Sequence, residues 1–144
     1  MPRYLVVANQ TLGGAALLDL LQRRVAQGQV RLHVLVPATP SSTGWHSHDA
    51  ATDVEAASER LDRALQAFAD LGAHEVTGEI GTARVVDGIG DVLRRDAGDP
   101  YDEIILSTLP AGPSRWLAMD LPSRIQRVHD VPLTHVEAGA EARV

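Results

Sequence analysis

Short apolar runs alternate with segments of helical period along this chain, and that alternation limits its fold more than any other feature. Arg3–Ala8 is apolar with little polar interruption, as expected of a strand covered on both faces. Gly13 and Gly14 open a segment in which Leu17, Leu21 and Val25 share one helix face, and Gly28 closes it. Val30–Val36 reads as a second strand, stopped by Pro37, and the polar stretch from Ala38 to Ala51 reads as a long loop. Thr52-Asp53-Val54-Glu55 has the spacing of a capping box. The helix behind it carries Val54, Ala57, Leu61, Leu65 and Phe68 on one stripe and ends at Gly72.

The pattern then repeats. His74–Ile80 is a third, weaker strand, and Thr82 is placed to cap a helix through Val85, Val86, Ile89 and Leu93. Glu103–Thr108 is a fourth strand. A loop with proline and glycine leads to a helical segment interrupted by Pro122, and Pro132–Val136 is a fifth strand. Ser114 and Asp120 stand where N-caps of two short helices belong. Strands alternating with helices imply right-handed crossovers and a parallel sheet with helices on both faces. The order predicts a single domain over 1–138, with 139–144 as a flexible C-terminal tail.

Composition removes whole classes of chemistry. All 13 basic residues of the 144 are arginines, and there is no cysteine. Without an amine side chain there is no Schiff base and no Walker-type lysine on a phosphate. Without a thiol there is no thiolate metal site, redox pair or disulfide. A net charge of −6 argues against a nucleic-acid partner. No apolar run approaches the ~20 residues that span a bilayer, so no membrane association and a cytoplasmic location are expected.

Ligands in parallel α/β sheets bind beyond the carboxyl ends of the strands, which directs attention to the loops there. The first such loop, Ala8-Asn9-Gln10-Thr11-Leu12-Gly13-Gly14, lacks the GxGxxG spacing, and Val36 rather than an acidic residue ends the second strand. A dinucleotide-binding dehydrogenase is therefore disfavoured. His46, His48 and Asp49 could ligate a metal, but they lie in a polar loop without rigid support, so no metal site is assigned. No GxSxG elbow is present, and no catalytic residue is assigned. The segment after the fourth strand is the richest, with Ser107, Thr108, Gly112, Ser114, Arg115, Ser123 and Arg124. Helix N-termini and arginines favour anions.

Three stretches resemble the universal stress protein family, within the adenine nucleotide α-hydrolase-like superfamily. They are Tyr4–Thr11, Tyr101–Thr108, and the run from Ser114-Arg115-Trp116-Leu117 through Arg124-Ile125 to Val131–Val136. The resemblance implies a three-layer α/β/α sandwich, Rossmann-like, with a five-stranded parallel sheet in the order 3-2-1-4-5. It implies a homodimer formed through strand 132–136, with further protein partners. It also implies ATP or AMP with Mg²⁺ as ligand, held by Ala8, Asn9, Gln10, Thr11, Val36, Ser107, Thr108, Gly112, Ser114, Arg115, Ser123 and Arg124.

The chain departs from the family where phosphate is held. The family pattern is Gly-x2-Gly-x9-Gly-Ser/Thr, and Ser107 and Pro110 occupy its first two glycine positions. With a one-residue gap, Met119-Asp120 falls on the last pair. Asn9 replaces the aspartate of the first loop, and Gln10 its glycine. A divergent subgroup, marked by Ser-Thr-Leu-Pro and Met-Asp-Leu-Pro, is expected. Its function would be that of a regulatory or sensor module with weak or absent ATP binding. The alternatives are a genuine ATP, AMP or phosphate sensor and, last, a slow ATPase.

Overall fold

The computed structural model describes residues 1–38, 50–110 and 115–138, with the side chains of residues 50–53, 115 and 118 outside the description. Five strands are present: β1 (Arg3–Val7), β2 (Arg31–Pro37), β3 (Glu75–Gly81), β4 (Glu103–Thr108) and β5 (Leu133–Glu137). The helices are α1 (Ala15–Ala26), α2 (Ala50–Asp70), α3 (Val85–Arg95), α4 (Arg115–Ala118) and α5 (Leu121–Val128). All pairings are parallel, and the sheet runs β3-β2-β1-β4-β5, the order the resemblance implies. Val6 lies between Val34 of β2 and Ile105 of β4, so β1 is central.

Side chains that alternate along each strand feed two separate cores. Tyr4, Val6 and Ala8 pack with Leu17, Leu21, Leu32, Val34 and Phe68 under α1 and α2. Leu5 and Val7 pack with Leu35, Ile89, Ile104, Leu106, Leu121 and Ile125 under α3 and α5. Because both faces are covered, β1 reads as a continuous apolar run rather than an alternating one. Gly78 lets α2 lie close on the sheet, since a Cβ there would stand 2.6 Å from Leu61 Cδ1. Gly72 ends α2 at φ 98°, a conformation that glycine adopts without strain.

Several local expectations need correction. α2 begins at Ala50, so Thr52 is inside the helix and not at its N-cap. Val54 is exposed, not part of the buried stripe of Ala57, Leu61 and Phe68. α3 has Arg84, not Thr82, at its N-cap, because the Thr82 hydroxyl accepts from the Arg84 N–H and closes a turn ahead of the helix. Pro37 does not stop β2 but is its last residue, paired with Gly81. No helix among the described residues is long and apolar enough to cross a membrane. Residues 39–49, with His46, His48 and Asp49, and the tail 139–144 lie outside the described residues.

Ion pairs tie the amino ends of β1 and β2 to the turn after α3, and one more joins α3 to β3. Arg31 forks Asp99 at 2.5 and 2.8 Å, and Arg95 forks Glu79 at 3.0 and 2.7 Å. Arg3 lies 4.2 Å above the Tyr101 ring, and the Tyr101 hydroxyl donates to Asp96. Arg95 also contacts Asp96 and holds its carboxyl at about 2. Burial works against the Glu103 carboxylate, yet hydrogen bonds from Arg24 and Thr134 outweigh it and keep its pKa below the ordinary range.

Candidate functional site

The strand order reverses direction between β1 and β4, so their carboxyl ends frame the crevice where α/β sheets place ligands. The loop after β1 is held there by a closed set of hydrogen bonds. The Asn9 amide donates to the Pro37 carbonyl at 2.8 Å, tying the tip of β1 to the end of β2. That orientation turns Asn9 Oδ1 toward Arg60, whose Nη1 donates to it at 2.6 Å. The backbone then turns tightly, with Leu12 N–H to Asn9 O and Gly14 N–H to Thr11 O. A Cβ on Gly14 would stand 3.1 Å from Thr11 O, so glycine permits the close turn before α1.

The hydroxyls of β4 face opposite sides of the sheet. Ser107, 1% exposed, shares a 2.6 Å hydrogen bond with Thr11 on the α1 side. Thr108, also buried, shares one of 2.8 Å with His135 Nε2 of β5 on the other side. Ser107 occupies the first glycine position of the nucleotide pattern, and its side chain joins β4 to the β1 loop instead of leaving open backbone.

α5 starts from a residue in the left-handed region. Asp120 has φ 54° and ψ 43° and is the one non-glycine residue with positive φ among those described. Counted without a gap, Ser107-x2-Pro110-x9 leads to Asp120 at the third glycine position of the pattern. The conformation matches what a glycine there would supply. This replaces the gapped register that set Met119-Asp120 against the last pair. Aspartate does occupy the N-cap position, but its carboxylate makes no cap hydrogen bond, because the left-handed backbone turns the residue away from the usual extended N-cap geometry. Its backbone carbonyl instead accepts from the Arg124 N–H at 3.1 Å.

The structure thus brings Ala8, Asn9, Thr11, Val36, Ser107 and Thr108 together at adjacent strand tips. Ala8 and Val36 are wholly buried. Gln10 is exposed in the loop, Ser123 lies in the first turn of α5, and Arg124 is exposed behind it. Gly112 and Ser114 lie outside the described residues, and Arg115 opens α4. Among the described residues no three His, Asp or Glu side chains group to hold a metal.

Arg60 was missed by the sequence reading. It lies 51 residues from Asn9, on a helix face that reads as ordinary solvated surface.

No family model and no curated protein matches the chain. Solved structures do match over nearly its whole length. A universal stress protein from Archaeoglobus fulgidus is 15% identical, with 94% of this chain and 93% of that chain covered and a TM-score of 0.62. A universal stress protein in complex with cAMP is 15% identical, with 95% and 97% covered and a TM-score of 0.59. The Archaeoglobus fulgidus protein in complex with dAMP is 14% identical, with 94% and 97% covered and a TM-score of 0.58. The fold of this chain is therefore that of the universal stress proteins.

Proposed function

We propose that this chain is a universal stress protein-like sensor module that takes a nucleoside monophosphate in the β1–β4 crevice and binds ATP weakly. The observation that carries this reading is the coincidence of the strand-order reversal with the polar cluster of Asn9, Thr11, Ser107 and Arg60. Two proteins of the same fold are in complex with cAMP and dAMP, both single-phosphate nucleotides. The crevice carries polar side chains at the strand tips but lacks much of a triphosphate cradle. Ser107 and Pro110 replace backbone-exposing glycines, and Pro110 offers no N–H. The Asp120 carboxylate stands at the start of α5, where it opposes added phosphate charge.

The proposed form is a homodimer joined through β5, an edge strand whose residues are all only partly buried. The output is regulatory, through protein partners, and no residue is assigned a catalytic role. The decisive measurement is thermal stability of the purified chain with AMP, cAMP and ATP, with and without Mg²⁺. With a Kd near 0.1 mM, 1 mM AMP stabilises by about 1.4 kcal/mol. That corresponds to about 3–5 °C. ATP giving a clearly larger shift than AMP overturns the weak-ATP reading, and no shift with any nucleotide overturns the sensor. Sedimentation at micromolar concentration should show a dimer, and a monomer excludes the β5 interface.

A further inference from the structure

We propose that Thr77 is a covalent modification site, an accessible hydroxyl that His33 activates to accept an acyl group from an activated ester. The site lies on β2 and β3, apart from the β1–β4 crevice, and needs no nucleotide.

Parallel pairing sets His33 of β2 against Thr77 of β3, and the two-residue period of the strand puts Glu79 on the same face. His33 Nε2 lies 2.6 Å from Glu79 Oε2, and Nδ1 lies 2.7 Å from Thr77 Oγ1. A carboxylate only accepts, so Nε2 carries the proton and donates to Glu79. Neutral His33 then presents the bare lone pair of Nδ1 to the Thr77 hydroxyl, which donates to it. Arg95 grips Glu79 at two points, which holds the carboxylate in place and lowers its pKa below the ordinary range. The Tyr101 ring packs beside the imidazole, with 6.2 Å between the ring centres. His33 is 7% exposed, whereas Thr77 stands exposed on an edge strand. The base is shielded and oriented, and the nucleophile is open to a reagent.

No other described hydroxyl combines these features. Thr108 also shares a hydrogen bond with a histidine, His135, but Thr108 is 2% exposed. Thr11 and Ser107 are buried against each other, and Thr134 donates directly to Glu103 with no imidazole between. In the acyl step, Thr77 Oγ1 bonds to the acyl carbon while its proton passes to His33 Nδ1. The ester C–O bond breaks, and the leaving oxygen takes that proton. Thr77 is left as an O-acyl ester, and His33 is neutral again.

The test treats the full chain with p-nitrophenyl acetate at neutral pH, follows nitrophenol release and locates the acetyl group by peptide mass. The chain has no lysine or cysteine, so the side-chain amines and thiols that usually capture this reagent are missing. One acetyl group on Thr77 is expected, arriving about 100-fold faster than in His33→Gln, the lower end of what a positioned general base contributes. Thr77→Val, a change at an exposed position that keeps the fold, should lose the adduct, and Thr77→Ser should retain it. Glu79 acts through His33, so Glu79→Gln should slow acetylation and Glu79→Asp should restore part of the rate. An adduct found only at the amino terminus or on other hydroxyls overturns the proposal, as does an equal rate in His33→Gln. An unchanged rate in Glu79→Gln overturns the positioning role of Glu79.

Discussion

Asp120 holds a left-handed backbone that an aspartate tolerates better than most side chains but that glycine adopts freely. Asp120→Gly should therefore be neutral or stabilising, whereas Asp120→Val should cost about 1–2 kcal/mol, read from urea midpoints. Asp120→Gly should also raise AMP affinity by removing a carboxylate from the start of α5. A second residue-scale expectation concerns the Thr11–Ser107 hydroxyl pair. Thr11→Val leaves the Ser107 hydroxyl buried and unpaired, at a cost of about 1–3 kcal/mol. Adding Ser107→Ala should recover part of that loss, so the double variant falls short of the sum of the singles. Additive effects would show that the two hydroxyls do not act together. None of these contacts was legible in the sequence, because Thr11 and Ser107 are 96 residues apart.

The existence and order of the elements, by contrast, were legible almost throughout. Apolar runs covered on both faces, glycines after helices and i, i+4 stripes are local signals, and the fold obeys them. Helix starts were not legible. Thr52 has cap chemistry, but α2 begins two residues earlier, and Arg84 rather than Thr82 occupies the N-cap of α3. Cap motifs state only a local preference, and packing decides where the helix begins. Packing also explains Gly78, whose role depends on α2 lying across β3. Gly78→Ala should cost about 1–3 kcal/mol, because the new methyl meets Leu61 at 2.6 Å and Leu65 at 3.2 Å. A variant as stable as wild type would mean that α2 shifts at no cost.

At the scale of the whole molecule, carboxylates paired with Arg95 are held below their ordinary pKa, Asp96 at about 2 and Glu79 lowered chiefly by that arginine. A lowered folded-state pKa contributes stability that is present above the unfolded value and lost as pH falls through the folded one. Unfolding free energy should therefore be level above about pH 5 and decline from about pH 4 toward 2. Arg95→Gln should flatten that decline, and an unchanged slope would mean that other carboxylates carry it. The resemblance to a family was legible from the strand-four and final-strand stretches. The contact of Arg60 with Asn9 was not, since it depends on α2 meeting the β1 loop.

The hydrogen bonds that close the β1 loop have a kinetic consequence. Asn9, Thr11 and Gly14 are tied down by contacts within the protein itself. Little chain entropy is left to lose on capture, and no slow ordering step has to precede or follow encounter. In rapid mixing, nucleotide association should follow a single exponential whose rate rises linearly with concentration. A plateau would reveal a loop that must open first. Such a protein would report ligand concentration by fast exchange rather than by a long-lived complex.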